Sequence, residues 1–262
     1  MASFTQLDWY DTPRYYDAVF DIETKDEANF LEAVHERFGS TRGKRALEPA
    51  CGSGRLVHEL AQRGWRVTGI DLSQPMLDFA AERLLTAGLA ADLRQADMSD
   101  FRTRARFDFA HCLVSTFKYL LTEDQARGHL ECVARALKPG GIYVLGFHLS
   151  DYEEERKLRE RWVVKRGRET IVCNTQTWPA DRRTRTERVR TRLAVQSPGA
   201  TELRTETHWE FRSYDARQTR RLLRSVPELE HVATYDFSYD LDQKRDLDDD
   251  QFDTVLVLRR RD

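Results

Sequence analysis

Two glycines one residue apart, Gly52 and Gly54, stand in the stretch LEPACGSGRL, Leu47 to Leu56, between a short apolar run and a helix-patterned segment. A strand that turns tightly into a helix offers free backbone N–H groups and the positive end of the helix dipole to a polar ligand. Asp71 closes the next apolar run, VTGID, where a carboxylate can accept from ribose hydroxyls. Together they read as a nucleotide-binding turn, with a plain strand-to-helix reversal as the bland alternative. A dinucleotide fingerprint wants a third glycine, and Val57 occupies that position. Asp71 serves a ribose of either NAD or adenosylmethionine.

These residues need a scaffold, and the pattern supplies one. From Ala46 to Leu149 short β-type runs alternate with helical stripes, as in a parallel sheet built from βα units. RALEPA, WRVTGID, ADLRQAD, RFDFAHCLVS and IYVLGFH read as five strands. RLVHELAQRG and QPMLDFAAERLLTAG read as helices, the second capped by Ser73. Thr122 with Gln125 makes a capping box for a helix through Leu137, and KPGG reads as a hard stop after it. His148 closes the fifth strand, at the carboxyl edge where open α/β sheets bind ligands, and is the leading candidate for a base or substrate anchor.

After residue 150 the period changes to two. ETIVCNTQTW, RTERVRTRLAV and ELRTETHWEFRSY read as three half-exposed antiparallel strands carrying Trp178 and Trp209, with Trp162 just upstream. A helix, DARQTRRLLRSV, and the runs HVATYDFSY and DTVLVLRR then finish the main sheet. Upstream, RYYDAVFD and DEANFLEAVHERFG read as two helices over its open end. The expected organisation is a helical lid (1–40), a cofactor-binding core (41–150), an antiparallel insertion after the fifth strand (151–215) and a closing segment (216–262). The fold class is α/β: a Rossmann-like, doubly wound, seven-stranded and mostly parallel sheet with helices on both faces.

Glu48 before the glycine loop, ADM (Ala96 to Met98) after the third strand and LKPGG before the fifth separate the cofactors. LEPACGSGR, VTGIDLSQPML, LRQADMSDF, FDFAHCLVSTFKYL and ALKPGGIYVLGFH, in this order across Ala46 to His148, resemble the consecutive motifs of class I S-adenosylmethionine-dependent methyltransferases. The resemblance implies methyl transfer from S-adenosyl-L-methionine, with S-adenosyl-L-homocysteine as product. It implies that Glu48, Ala50, Gly52 and Gly54 form the loop against the methionine part, and that Asp71 takes the ribose. Leu72 and Met76 would lie against adenine, with Asp97 accepting from its exocyclic amine and the Met98 N–H donating to a ring nitrogen. The Cys112 backbone would help hold the methionyl amino group. The family usually has glycine where this chain has Ala50, so the φ angle there matters.

The layout is similar to glycine-type and sugar-amine N-methyltransferases, in which an N-terminal helix helps cover the cofactor. That places Tyr16 at the cofactor and makes Tyr15, with His148, a catalytic candidate. The implied acceptor is the N or O of a small molecule, and no metal is called for.

The chain has 262 residues, a net charge of −2 and 33% charged residues, so nothing in its overall balance pulls it to nucleic acid or membrane. Charge is uneven, however: Glu155 to Arg224 holds 19 Lys/Arg against 9 Asp/Glu. This raises an RNA or DNA methyltransferase using Arg182, Arg183, Arg185, Arg188, Arg190 and Arg192 as a rival. Alternate strand positions share one face, so the last three also read as a solvated stripe, and nucleic acid is disfavoured. A third class is a non-catalytic cofactor-binding protein. Four cysteines without a CxxC pair, no basic-apolar leader and no long apolar run fit a cytoplasmic protein. The insertion offers either a substrate cover or a homodimer contact.

Overall fold

The computed structural model describes residues 4–262, so the first three residues of the expected lid lie outside the described residues. In chain order the elements are β1 (Thr5–Gln6), α1 (Pro13–Phe20), α2 (Thr24–Phe38), β2 (Arg45–Pro49), α3 (Arg55–Gln62), β3 (Arg66–Asp71), α4 (Gln74–Thr86) and β4 (Asp92–Gln95). β5 (Phe107–Cys112), α5 (Glu123–Ala136) and β6 (Leu137–His148) complete the alternating part. Then come β7 (Leu158–Arg166), β8 (Glu169–Thr177), β9 (Thr186–Gln196), β10 (Leu203–Arg212), α6 (Ala216–Arg224), β11 (Leu229–Tyr235) and β12 (Asp253–Arg260).

The main sheet has seven strands in the order β11-β12-β6-β5-β2-β3-β4, with β2 to β6 parallel, β12 antiparallel to β6, and β11 antiparallel to β12 and so running with the parallel set. Every residue of β5 is buried, and so is the nearly continuous apolar run Ile142–Phe147 of β6, as central strands covered on both faces require. One face packs Leu130 and Val133 of α5 and Leu222 of α6 against Leu47, Ala110 and Leu145. The other packs Leu31 and Val34 of α2, Leu56 and Leu60 of α3 and Leu77 of α4 against Ala46, Phe109 and Val144. The architecture is therefore Rossmann-like, with α2 a layer helix on the sheet face and only α1 near its carboxyl edge. The Ser73 cap and the Thr122–Gln125 capping box form as their sequences dictate.

A second, five-stranded sheet, β1-β10-β9-β8-β7, packs Ile171, Cys173, Leu193 and Val195 against Ala18 and Val19 of α1. β7 is absent from the sequence reading because LRERWVVKR is a largely exposed edge strand in which only Trp162 and Val164 are half-buried, too short an alternation to give a period-two signal. KPGG stops α5, yet it lies inside β6. Phe107 pairs with Leu137 and Phe109 with Ile142, so these residues bulge out of a strand that is already running, with Gly140 at φ 73°. β5 ends at Cys112, short of the expected Ser115, because Val114 and Ser115 take left-handed φ of 56° and 60° and turn the chain across the edge.

Candidate functional site

At the carboxyl ends of β2 and β5 a pocket is lined by Tyr16, Glu48, Ala50, Gly52 and Cys112 among the expected residues, and by Ser53, Arg55 and Thr116 among others. Its wall is the glycine loop. Ala50, Gly52 and Gly54 all have positive φ, at 57°, 52° and 69°. Ala50 thus carries the left-handed strain that a glycine would avoid. At Gly54 a Cβ would come within 2.6 Å of the Cβ of Ala80, so this glycine brings α3 and α4 together. At Gly52 only Tyr16 lies near, at 3.8 Å, and the loop faces open space there.

Asp71 holds the loop. Its carboxylate accepts from the Gly52 N–H at 2.8 Å and from the Ser73 N–H at 2.8 Å, joining the glycine turn to the start of α4. Burial pushes its carboxyl up while those two N–H groups pull it down. Beside it Leu72 is 63% exposed, an unusual apolar surface next to an acid. Met76 lies fully buried under the same helix start. Asp97 is exposed after β4, and one of its oxygens accepts from the Ser99 N–H and hydroxyl at 2.7 and 2.8 Å. The buried Met98 is anchored through its carbonyl, which accepts from Nδ1 of His129 at 3.0 Å.

The floor of the pocket is Glu48. It is buried with Oε2 unpartnered, and loss of water holds its carboxyl well above the usual carboxylate range. The loop is braced from the N-terminal side. Asp17 of α1, 1% exposed, accepts from the Ser53 hydroxyl at 2.9 Å and from Arg83 of α4 at 2.5 Å, with Arg166 of β7 at 3.6 Å. Arg55, first in α3, forms a two-pronged buried pair with Glu27 of α2. Tyr16 packs edge-on to Trp9 at 4.9 Å, and Trp9 stacks on Trp209 of β10 at 5.3 Å. Tyr15 points instead to the α1–sheet core, with Arg14 over its ring.

His148 sits farther along the same edge, outside the pocket lining. The antiparallel register places it opposite Asp253, whose carboxylate is 2.8 Å from Nδ1. Its ring stacks on Phe252 at 4.7 Å and meets Phe237 edge-on at 5.1 Å. Its backbone N–H donates to Ser115, the residue before Thr116 of the pocket. Glu160 of β7 lies within Coulomb range of both His148 and Asp253.

Sequence reasoning missed Asp17, Ser53, Arg55, Thr116 and Asp253. Only Ser53 and Arg55 had a local signal, since they adjoin the glycines. The arginine stripe is largely spoken for: Arg182 pairs with Glu153, Arg185 with Glu123, and Arg190 and Arg192 with Glu206. Arg188 and Arg190 also lie over the ring of Trp178, and Trp162 packs at the edge of the core beneath α1. Among the described residues no group of three His, Cys, Asp or Glu could hold a metal, and no helix is long and apolar enough to cross a membrane.

Residues 46–141 match the family model described as a methyltransferase domain. A ubiquinone biosynthesis O-methyltransferase of Stutzerimonas stutzeri is 32% identical over 132 residues, 49% of this chain and 55% of that protein. The chain spans about half the length of the curated relatives it matches. Over nearly the whole chain the fold is like that of an S-adenosylmethionine-dependent methyltransferase from Clostridium acetobutylicum, with TM-score 0.78, 19% identity, and 97% and 99% of the two chains covered. It is also like the sugar N-methyltransferase KedS8 from Streptoalloteichus, with TM-score 0.74, 20% identity, and 100% and 96% covered.

Proposed function

Taking residues 46–141 as a methyltransferase domain, we propose that this chain transfers a methyl group from S-adenosyl-L-methionine to a nitrogen or oxygen of a small molecule. The observation that carries this reading is the glycine-loop pocket, floored by the unpartnered Glu48 carboxyl and flanked by Asp71 and the exposed Leu72. That donor set fits the cofactor: a buried acid for an ammonium, a carboxylate for a ribose, an apolar side chain and Asp97 for adenine.

When bound, S-adenosyl-L-methionine supplies an already activated methyl group for an in-line displacement. The chain's own part is positioning and exclusion of water. Gly52 and Gly54 hold the loop open, Asp71 fixes it to α4, and Tyr16 covers it from α1. Held by these residues, the cofactor would lie over β2, β3 and β5, which would leave the end of β6 for the acceptor. His148 would serve there as the base that removes the acceptor's proton: Asp253 lies 2.8 Å from its Nδ1, which leaves Nε2 to take that proton.

Arginines held by carboxylates of the same chain speak against a phosphate-binding groove. Calorimetry with S-adenosylhomocysteine tests the reading, with NAD as the contrast. Binding of the former alone is the expected result, and no heat with it overturns the proposal. A metabolite screen by mass spectrometry for gain of one CH2 then identifies the acceptor.

A further inference from the structure

His111 of β5 has 0% exposure, and neither of its ring nitrogens has a hydrogen-bond partner. An imidazole carries at least one donor, and leaving it unpaired in the interior costs about 1–3 kcal/mol, so the orphan calls for a reason. The carboxyl group within reach of it is Glu48. The parallel register Ala46↔Phe109 and Leu47↔Ala110 carries on to set Glu48 beside His111 on one sheet face, with Oε1 3.8 Å from Nδ1. Glu48's other oxygen is buried without a partner, and Glu48 is also a lining residue of the pocket. Two adjacent, buried, under-satisfied groups therefore stand in line from the sheet core to the cofactor loop.

Resting on the methyltransferase reading above, we propose that His111 is a positioning residue acting through Glu48. It holds this carboxyl toward the cofactor's amino group, and ligand binding expels the proton that the pair retains in the free protein. Neutral imidazole suits the task because Nδ1 accepts from a carboxylic acid in one tautomer and donates to a carboxylate in the other. In the free protein, burial favours the neutral acid beside neutral histidine. When a ligand ammonium meets Glu48, the carboxyl O–H bond breaks, the carboxylate pairs with the ammonium, and the proton goes to the buffer.

The other groups facing this pair are Arg55 of α3, Glu27 of α2, Asp71 of β3, Tyr16 of α1, and Cys51 and Cys112. Arg55 is already neutralised by Glu27, Asp71 is held as a carboxylate by the Gly52 and Ser73 N–H groups, and the thiols and phenol stay protonated near neutral pH, which leaves Glu48 as the group that changes.

The test is calorimetry of S-adenosylhomocysteine with the intact protein at neutral pH in phosphate and in Tris, whose ionisation heats differ. The expected result is release of about one proton per ligand, with affinity rising about tenfold per pH unit while the pair is protonated. Glu48→Gln should abolish the release. His111→Leu should weaken binding about tenfold and shift the pH profile, and His111→Asn should restore part of the affinity. Binding with buffer-independent heat in the unmodified protein overturns the proposal, as does an unchanged pH profile in His111→Leu. Neither result touches the methyltransferase reading, which falls only if S-adenosylhomocysteine does not bind.

Discussion

The Gly52 N–H donates to the Asp71 carboxylate at 2.8 Å, so the acid expected at a ribose is also the clasp of the glycine turn. An amide in its place accepts on one side only and turns an NH2 toward either Gly52 or Ser73. Asp71→Asn should therefore weaken S-adenosylhomocysteine by about tenfold to a hundredfold, read by calorimetry. Unchanged affinity would show that the carboxylate serves neither loop nor ligand.

Ala50 sits at φ 57°. Glycine adopts this angle freely, at the expense of extra freedom in the unfolded chain. The balance favours Ala50→Gly by on the order of 0.5–1 kcal/mol, whereas Ala50→Val, β-branched, should destabilise. Denaturant midpoints of the three proteins decide it.

Asp17 gathers Ser53, Arg83 and Arg166 at one buried carboxylate. Removing it strands Arg83 and frees α1 from the loop. Asp17→Ala should lose about 3 kcal/mol of stability and also weaken S-adenosylhomocysteine. Loss of stability with intact affinity at low temperature would mean that α1 does not brace the site.

His148 and Asp253 face each other across β6 and β12. If His148 is the base, His148→Gln should slow turnover of the identified acceptor by about a hundredfold or more, and Asp253→Asn by less, while S-adenosylhomocysteine binds as before. Full turnover in His148→Gln would remove it from the chemistry.

His129 is fully buried, and loss of water lowers its pKa to about 4. A histidine lowered on folding binds its proton more readily in the unfolded chain. The stability it contributes is thus present above the ordinary pKa of about 6.5 and is lost as pH falls from there toward about 4. The loss approaches about 3 kcal/mol for this residue, and His111, lowered to about 3, adds to it. Urea unfolding between pH 7 and 4 should show the decline, and His129→Gln should flatten it.

Where chemistry depends on neighbours in the chain, the sequence alone was enough. Glycine spacing, Asp71 at a strand end, the Ser73 and Thr122 caps and the alternation of periods placed the loop, the helices and the order of the motifs, because turns, caps and amphipathic faces are decided within a few residues. The parallel sheet followed from that alternation.

Pairing across distance was decided only by the tertiary structure. Nothing local says that Asp253 will lie opposite His148, that Asp17 will reach Ser53, or that Glu48 will abut His111, since each pair belongs to separate elements brought together by register and packing. The same holds for KPGG, a stop for α5 by its own composition. The pairing of Phe107 with Leu137 made it a bulge inside a strand, and the left-handed φ of Ala50 was imposed by the loop that Asp71 clasps.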